Sequence, residues 1–284
     1  MKPLNTFSYF FLCLLVSTST LRAQWQTTTY TLKGGWNAIY LTGDAPQDTL
    51  TNLFPAQVLE VWRWNTNPTQ VQFMETPSEP SEGTPEWSVW KRDLPAQSDF
   101  TQLHGQTTYL VKCSGTTANT YSAVIPQIPL PPRATWVRNG ANLMGFPTKL
   151  NGSYPSISSY FATFPAAIAA DAKVFKYVGG DLGPGNPIQV FSPLSEPLDR
   201  TQAYWFSAEV VENFQTPLEI SLSNSSGLDF GSNGSVITVH IRNRSASEVI
   251  LTLDAADSGP IPSGQPALTP VPLTKRVFNP TTLI

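Results

Sequence analysis

Tryptophan is the side chain whose number and placement in this sequence could do chemistry. Six of the eight tryptophans, Trp25, Trp36, Trp62, Trp64, Trp87 and Trp90, fall in the first third of the chain. An exposed row of indole rings makes a stacking platform for the apolar face of a pyranose. On that reading Trp36, Trp87 and Trp90 are the candidate ligand-binding residues. The competing use of such rings is to fill a core. One comparison within the sequence bears on the choice. Val61-Trp62-Arg63-Trp64 is echoed by Val174-Phe175-Lys176-Tyr177. Bulk and aromaticity persist there while identity drifts, which suits core packing. Trp36 aligns instead with Ala141. Equivalent buried pockets could not hold both without a void costing about 3–5 kcal/mol. Trp36 is therefore expected where the second copy is not reproduced, at a rim or at a contact between modules.

Catalytic and metal-binding chemistries are thinly supplied. Downstream of the N-terminal segment the chain has one cysteine, Cys113, and two histidines, His104 and His240. A zinc site takes three or four His, Cys or carboxylate ligands, and these residues lie far apart in sequence. His240, between Val239 and Ile241, reads as a strand residue, and His104, before Gly105, as a turn residue. There is no Gly-x-Ser-x-Gly elbow and no His-Glu-x-x-His helix. Gly179-Gly180-Asp181-Leu182-Gly183-Pro184-Gly185 lacks the Lys and Ser/Thr of a phosphate loop and reads as a hairpin loop. Asp254 and Asp257 with Gly259 lack the spacing of a calcium loop and read as a turn. Proximity of two carboxylates for sugar hydrolysis is a tertiary matter, and no pair stands out. The sequence predicts no catalytic residue, no metal site and no cofactor, hence no enzyme.

The elements that must carry these residues are short. Gly and Pro are frequent and dispersed, long helical periodicity is missing, and alternating runs dominate, which predicts a mainly β protein. The runs come in one order twice. Gly35-Trp36-Asn37-Ala38-Ile39 is echoed by Gly140-Ala141-Asn142-Leu143-Met144, and Tyr109-Leu110-Val111 by Tyr204-Trp205-Phe206. Between them, Leu50, Leu53 and Phe54, and then Ile157, Tyr160 and Phe161, have helical spacing. Val89-Trp90 and Val190-Phe191 read as a further matching strand. Recurring order with drifting spacing means one supersecondary plan used twice with loop insertions. The predicted fold is two related β-rich modules, each with a short helix. Asn37 and Asn142 match, and a buried Asn beside a turn more often ties down backbone groups than binds ligand.

Residues 1–23 read as a secretory signal: Lys2, the apolar run Phe7 to Val16, then a small residue at Ala23. The run is short for a membrane span. Cleavage after Ala23 would leave a lone cysteine, so stability must come from core burial rather than from disulfides. It would also remove two basic residues and no acid from a chain whose formal net charge is −3. Such a chain has no electrostatic reason to bind nucleic acid or an anionic membrane. Charged residues make up 13% of it, about half the usual share, so Ser, Thr, Asn and Gln supply the polar surface, as in extracellular β-proteins.

The first β-rich module is placed at 24–124, a stiff Pro-rich linker at 125–133, and the second module at 134–216. After Pro217 the texture changes. Leu218 to Leu222, Val236 to Ile241 and Val249 to Leu253 alternate as short strands, with a turn at Gly231 to Gly234. Residues 217–284 are expected to open an immunoglobulin-like β-sandwich, although such a domain takes about 100 residues. The segment is therefore expected to be small or truncated, within a longer protein.

Gly35-Trp36-Asn37-Ala38-Ile39-Tyr40-Leu41 and Gly140-Ala141-Asn142-Leu143-Met144-Gly145-Phe146-Pro147 resemble the Gly-Trp-Asn-Leu-Ile-x-x-Pro modules of secreted bacterial surface proteins. Thr201-Gln202-Ala203-Tyr204-Trp205-Phe206 resembles their closing motif. The layout is similar to the N-terminal region of large exported bacterial proteins that carry a laminin-G-like (concanavalin-A-like) domain further along. That resemblance covers most of residues 30–210 and implies no catalytic residues. The second copy lacks the Trp of the triplet. The expectation is a secreted, non-enzymatic adhesive or scaffold segment of a larger surface protein, located outside the cell, whose partner is an extracellular glycan or another surface protein. The alternatives are a carbohydrate-binding module using exposed Trp rings and an accessory region of a glycoside hydrolase.

Overall fold

The computed structural model describes residues 25–65, 80–132, 136–137, 140–148, 153–169, 172–208, 218–223, 237–245, 248–251 and 258–265. Residues 1–23, read as a secretory signal, the turn at Gly231 to Gly234 and the Asp254/Asp257 pair lie outside these residues. The protein is mainly β, and its described residues form antiparallel ladders with two single-turn α-helices.

The chain enters as β1 (Gln26–Lys33) and turns at Gly34 into β2 (Gly35–Leu41), followed by the two-residue β3 (Gly43–Asp44) and the helical turn α1 (Leu50–Leu53). Next come β4 (Val58–Trp64), β5 (Trp87–Lys91), β6 (Thr107–Cys113) and β7 (Thr120–Pro129). The second half repeats the plan with β8 (Gly140–Met144), α2 (Ile157–Tyr160), β9 (Lys173–Lys176), β10 (Ile188–Gln189) and β11 (Tyr204–Ala208). A ladder of β12 (Leu218–Leu222) and β13 (Val239–Asn243) comes last.

Two four-stranded sheets have one topology. The first runs β2-β6-β4-β5 and the second β8-β11-β9-β10. Their registers match residue by residue. Ile39 faces Tyr109 as Met144 faces Tyr204, and Asn37 faces Val111 as Asn142 faces Phe206. Trp62 faces Leu110 as Phe175 faces Trp205. Side chains alternate across a strand, so each sheet has two apolar faces. One face of the first sheet (Ile39, Leu41, Val61, Trp90, Tyr109, Val111) packs with α1, β1 and β7. One face of the second (Met144, Val174, Tyr204, Phe206) packs with Trp136, Phe146 and the α2 region. The two remaining faces pack on each other. The result is a β-sandwich whose middle layer of side chains belongs to both modules.

Three details differ from the sequence reading. Ile125 to Pro129, expected as the start of a linker, belong to β7, which pairs with β1 up to Gln127 and with β3 at Ile128 and Pro129. Apolar residues alternate there, with Ala123 and Ile125 fully buried, and this period outweighs the prolines, which sit at positions an edge or strand end tolerates. Second, the strand match is shifted by one: Val190, whose N–H donates to Val174 C=O at 2.8 Å, occupies the place of Trp90, which pairs with Val61. Phe191 then turns out to solvent at 82% exposure. Third, among the described residues of 217–284 the regular structure is the two-stranded ladder. Val249 to Leu251 are described and are not strand, and the rest of that expected strand lies outside the described residues.

Glycine fixes how closely the halves approach. Gly35 has φ of 87° and Gly180 has φ of 88°, and their backbones touch. The Trp36 N–H donates to Gly180 C=O at 2.8 Å, and the Gly180 N–H donates to Gly34 C=O at 2.8 Å. A Cβ on Gly35 would overlap the Gly180 carbonyl, and one on Gly145 would overlap the Tyr40 ring. Gly83 has φ of 73° with open space around it. In urea melts Gly35→Ala and Gly145→Ala should each lose about 2 kcal/mol or more, from overlap and, at Gly35, backbone strain. Gly83→Ala should lose only about 1 kcal/mol, from strain alone.

Candidate functional site

The indole cluster forms where strand alternation directs it. Trp36 on β2, Trp62 and Trp64 on β4, and Trp87 on β5 point from the first sheet toward Phe175, Tyr177 and Trp205 of the second. Trp36 and Trp62 meet tilted at 6.4 Å, and edge-on contacts run through the rest: Trp62 to Trp87 at 6.3 Å, Trp64 to Trp87 at 5.0 Å and Trp64 to Trp205 at 4.9 Å between centroids. This geometry sets positive ring edges against negative ring faces. Two indole N–H groups have partners: Trp62 donates to Glu60 at 2.8 Å and Trp205 to the Tyr177 hydroxyl at 3.1 Å. Those of Trp25, Trp64 and Trp136 are buried without one.

Trp36, Trp87 and Trp90, the candidate platform for a sugar, are buried at 8%, 7% and 5% exposure. That reading is corrected by the structure. Trp87 and Trp90 are three residues apart on one strand, so alternation sends them to opposite faces, Trp87 to the shared layer and Trp90 to the core beneath α1. No single surface could present all three. Trp36 is at the contact between modules, as its alignment with Ala141 suggested. Both residues belong to the shared layer, so large and small fill one space between them. The Trp36 carbonyl also accepts from Asn186 Nδ2 at 3.0 Å.

The polar residues inside the sandwich hold backbone. The Lys33 N–H donates to Asn37 Oδ1 at 2.8 Å, while Asn37 Nδ2 donates to the carbonyls of Lys33 at 2.8 Å and Gly35 at 3.2 Å. Asn142 does the same one residue further back. Its Oδ1 accepts from the Val137 N–H at 2.5 Å, and its Nδ2 donates to the carbonyls of Val137 and Gly140, both at 3.1 Å. The matching tyrosines make a second clamp. The Tyr109 hydroxyl accepts from the His104 N–H at 2.8 Å, and the Tyr204 hydroxyl accepts from the Asp199 N–H at 3.0 Å. These clamps sit where a strand begins or a loop re-enters, and they satisfy groups that no ladder reaches.

Other structural residues carried no readable signal. Gln127, 1% exposed, donates to the Tyr30 hydroxyl at 2.7 Å and accepts from the Gly43 N–H at 3.0 Å. Arg92 donates to the carbonyls of Val58 at 2.6 Å, Phe54 at 3.1 Å and Pro55 at 2.9 Å, gathering the end of α1 onto β4. Asn186 links the loop after β9 to β2. Each joins segments distant in sequence, so neither spacing nor composition marks it.

His104 lies just before the turn at Gly105 and Gln106 and His240 in β13, both on the exposed surface. Among the described residues no three His, Cys, Asp or Glu side chains gather closely enough to hold a metal. Burial pushes the Cys113 thiol up to about 12, so its reactive thiolate is suppressed. At the module junction Tyr30, Thr31, Asn37, Tyr177, Thr201 and Gln202 help line a polar recess of about 20 Å³, the room of a single water.

Replacing Trp36 by Ala opens a void in a layer that both modules line. The expected loss is about 3–5 kcal/mol in denaturant unfolding, with a change in the intrinsic fluorescence of the indole chain. A loss under about 1 kcal/mol would place the ring outside the core.

Alkaline pH tests the buried hydroxyls. Desolvation raises Tyr109 to about 12 from 10.0, and raises Tyr30, Tyr40, Tyr160, Tyr177 and Tyr204 as well. A raised folded pKa means the unfolded state releases protons first as pH rises. Stability should hold steady below the ordinary thiol and phenol values near 9.0 and 10.0, then fall as pH climbs through about 12. The urea midpoint measured against pH reads this directly.

A scan against models of protein families and searches of curated proteins and of solved structures find no match to this chain.

Proposed function

We propose that this chain is a non-enzymatic scaffold or adhesive segment of an exported surface protein. The observation that carries the reading is the joining of two like sheets through one aromatic layer, which uses the conspicuous indole rings for cohesion between modules. Two charge pairs add surface ties: Lys112 to Glu60 at 3.0 Å joins β6 to β4, and Lys176 to Glu196 at 2.6 Å joins β9 to the loop before β11. A rigid double unit of this kind is suited to spacing and presenting other parts of a surface protein. Its contact point on this reading is the loop after β10, where Phe191 and Leu194 each stand 82% exposed. Apolar side chains exposed to that degree in a local cluster commonly mark an interaction site.

The test has two arms. Purified protein incubated with polysaccharide, ester and peptide substrates should show no turnover. Turnover abolished by one point substitution would overturn the reading. Cells carrying the gene should attach to their surface substratum less well when Phe191 and Leu194 are both replaced by Ser, with export and thermal stability of the protein unchanged. Attachment equal to that of the parent would remove the loop from the proposal.

A further inference from the structure

We infer that the outer edge of β1 is a self-complementary pairing surface for a second copy of this chain. In an antiparallel pair, residues alternately direct both backbone groups at the partner and away from it. β1 pairs with β7 without a register break from Gln26 to Lys33. At one end, the Trp25 N–H donates to Ser258 Oγ at 2.6 Å and the Trp25 carbonyl accepts from the Gly259 N–H at 2.5 Å. At the other end, the Lys33 N–H and carbonyl both bond to the Asn37 side chain at 2.8 Å. Trp25 and Lys33 therefore both direct their backbone away from β7. The intervening residues of the same parity, Thr27, Thr29 and Thr31, must do so too. No described residue bonds to the N–H or carbonyl of these three, and their side chains are exposed.

The free stretch is bounded. Ser258 and Gly259 occupy the edge before Thr27, and Asn37 occupies it after Thr31. A partner strand thus has a window from Thr27 to Thr31. A second copy fits that window about a two-fold axis at Thr29, which pairs Thr29 with its own counterpart and Thr27 with Thr31 on each side. Because all three residues share one parity, these three opposed pairs are of the hydrogen-bonded kind. On their exposed face the side chains that meet are all threonine, a favourable cross-strand pair. The edge carries none of the usual defences, since the window holds no charge, no proline and no bulge. β2 offers no such opening. The outer side of β2 is taken by the second module, with the Ala203 N–H donating to Ala38 C=O at 3.2 Å and the Tyr40 N–H to Thr201 C=O at 3.0 Å. The contact is isologous, as closed two-fold dimers require.

Sedimentation of the full exported chain across roughly a thousandfold range of concentration should show a monomer–dimer equilibrium. Thr29→Pro removes the central donor at an edge position where proline is tolerated. Thr29→Lys sets like charges opposite each other at the axis. Both variants should melt close to the parent when dilute and raise the dimer Kd about tenfold or more. Amide exchange at Thr27, Thr29 and Thr31 should be fast in dilute protein and slowed in concentrated protein. A chain that stays monomeric throughout the range overturns the inference. So does a dimer that both variants leave intact, and so does slow exchange at these amides in the dilute monomer, which would show the edge covered by the chain itself.

Discussion

Two sheets with the same strand order each need a cover for one apolar face, and each supplies it to the other. That mutual burial constrains most of the molecule's other contacts. A strand presents alternate residues to opposite sides, so once Tyr109 and Val111 face the core under α1, Leu110 must face outward. The same holds for Trp205 between Tyr204 and Phe206. Neither sheet can be soluble alone with that surface exposed, and the only matching surface on the described residues is the equivalent face of the other module. Trp36 and the small Ala141 lie in the same layer, where large and small side chains together fill one volume.

Closing the sandwich decides the fate of edges and loops. β2 lies at the edge of its sheet, yet its outer backbone is bonded by Gly180, Thr201 and Ala203 of the second half. The loop after β9 therefore acts as an edge strap rather than as a free hairpin tip. Its glycines allow backbone to touch backbone at Gly35, and Asn186 completes the joint from the side. Thr108 Oγ1 mirrors the arrangement by donating to Leu143 C=O at 3.1 Å, where Leu143 holds the place that Ala38 holds in the first sheet. The relation is close to a two-fold exchange of contacts between modules.

The same economy occupies the polar side chains that converge inside the sandwich. Asn37, Asn142, Tyr109, Tyr204 and Gln127 are polar, buried and convergent, which are the attributes of a binding site. Each bonds to partners within the fold, and a buried amide held in this way rigidifies its turn. The thiol of Cys113 is buried beside Asn37. Threonine along β1 and the Phe191 and Leu194 loop face solvent.

Much of the architecture was legible in the residues. Period-two runs gave the strands, helical spacing gave α1 and α2, and the echo of Asn37 in Asn142 and of Tyr109 in Tyr204 gave the order in which they recur. The anchoring role of the two asparagines was legible as well, because a short amide side chain next to a turn reaches its own backbone. Even the separation of Trp87 from Trp90 comes from counting positions along a strand. The sequence by itself determined which residues lie inward on each strand, since that depends on neighbours along the chain. It did not determine what covers each inward face. Whether the rings of Trp36, Trp62, Trp64 and Trp87 met water, a sugar or another sheet is a question of long-range contact, which sequence spacing does not encode. For the same reason Ile125 to Pro129 read as a linker until β1 was placed beside them. Only the tertiary structure, by bringing the second sheet over the first, turned a row of aromatic candidates into a shared core.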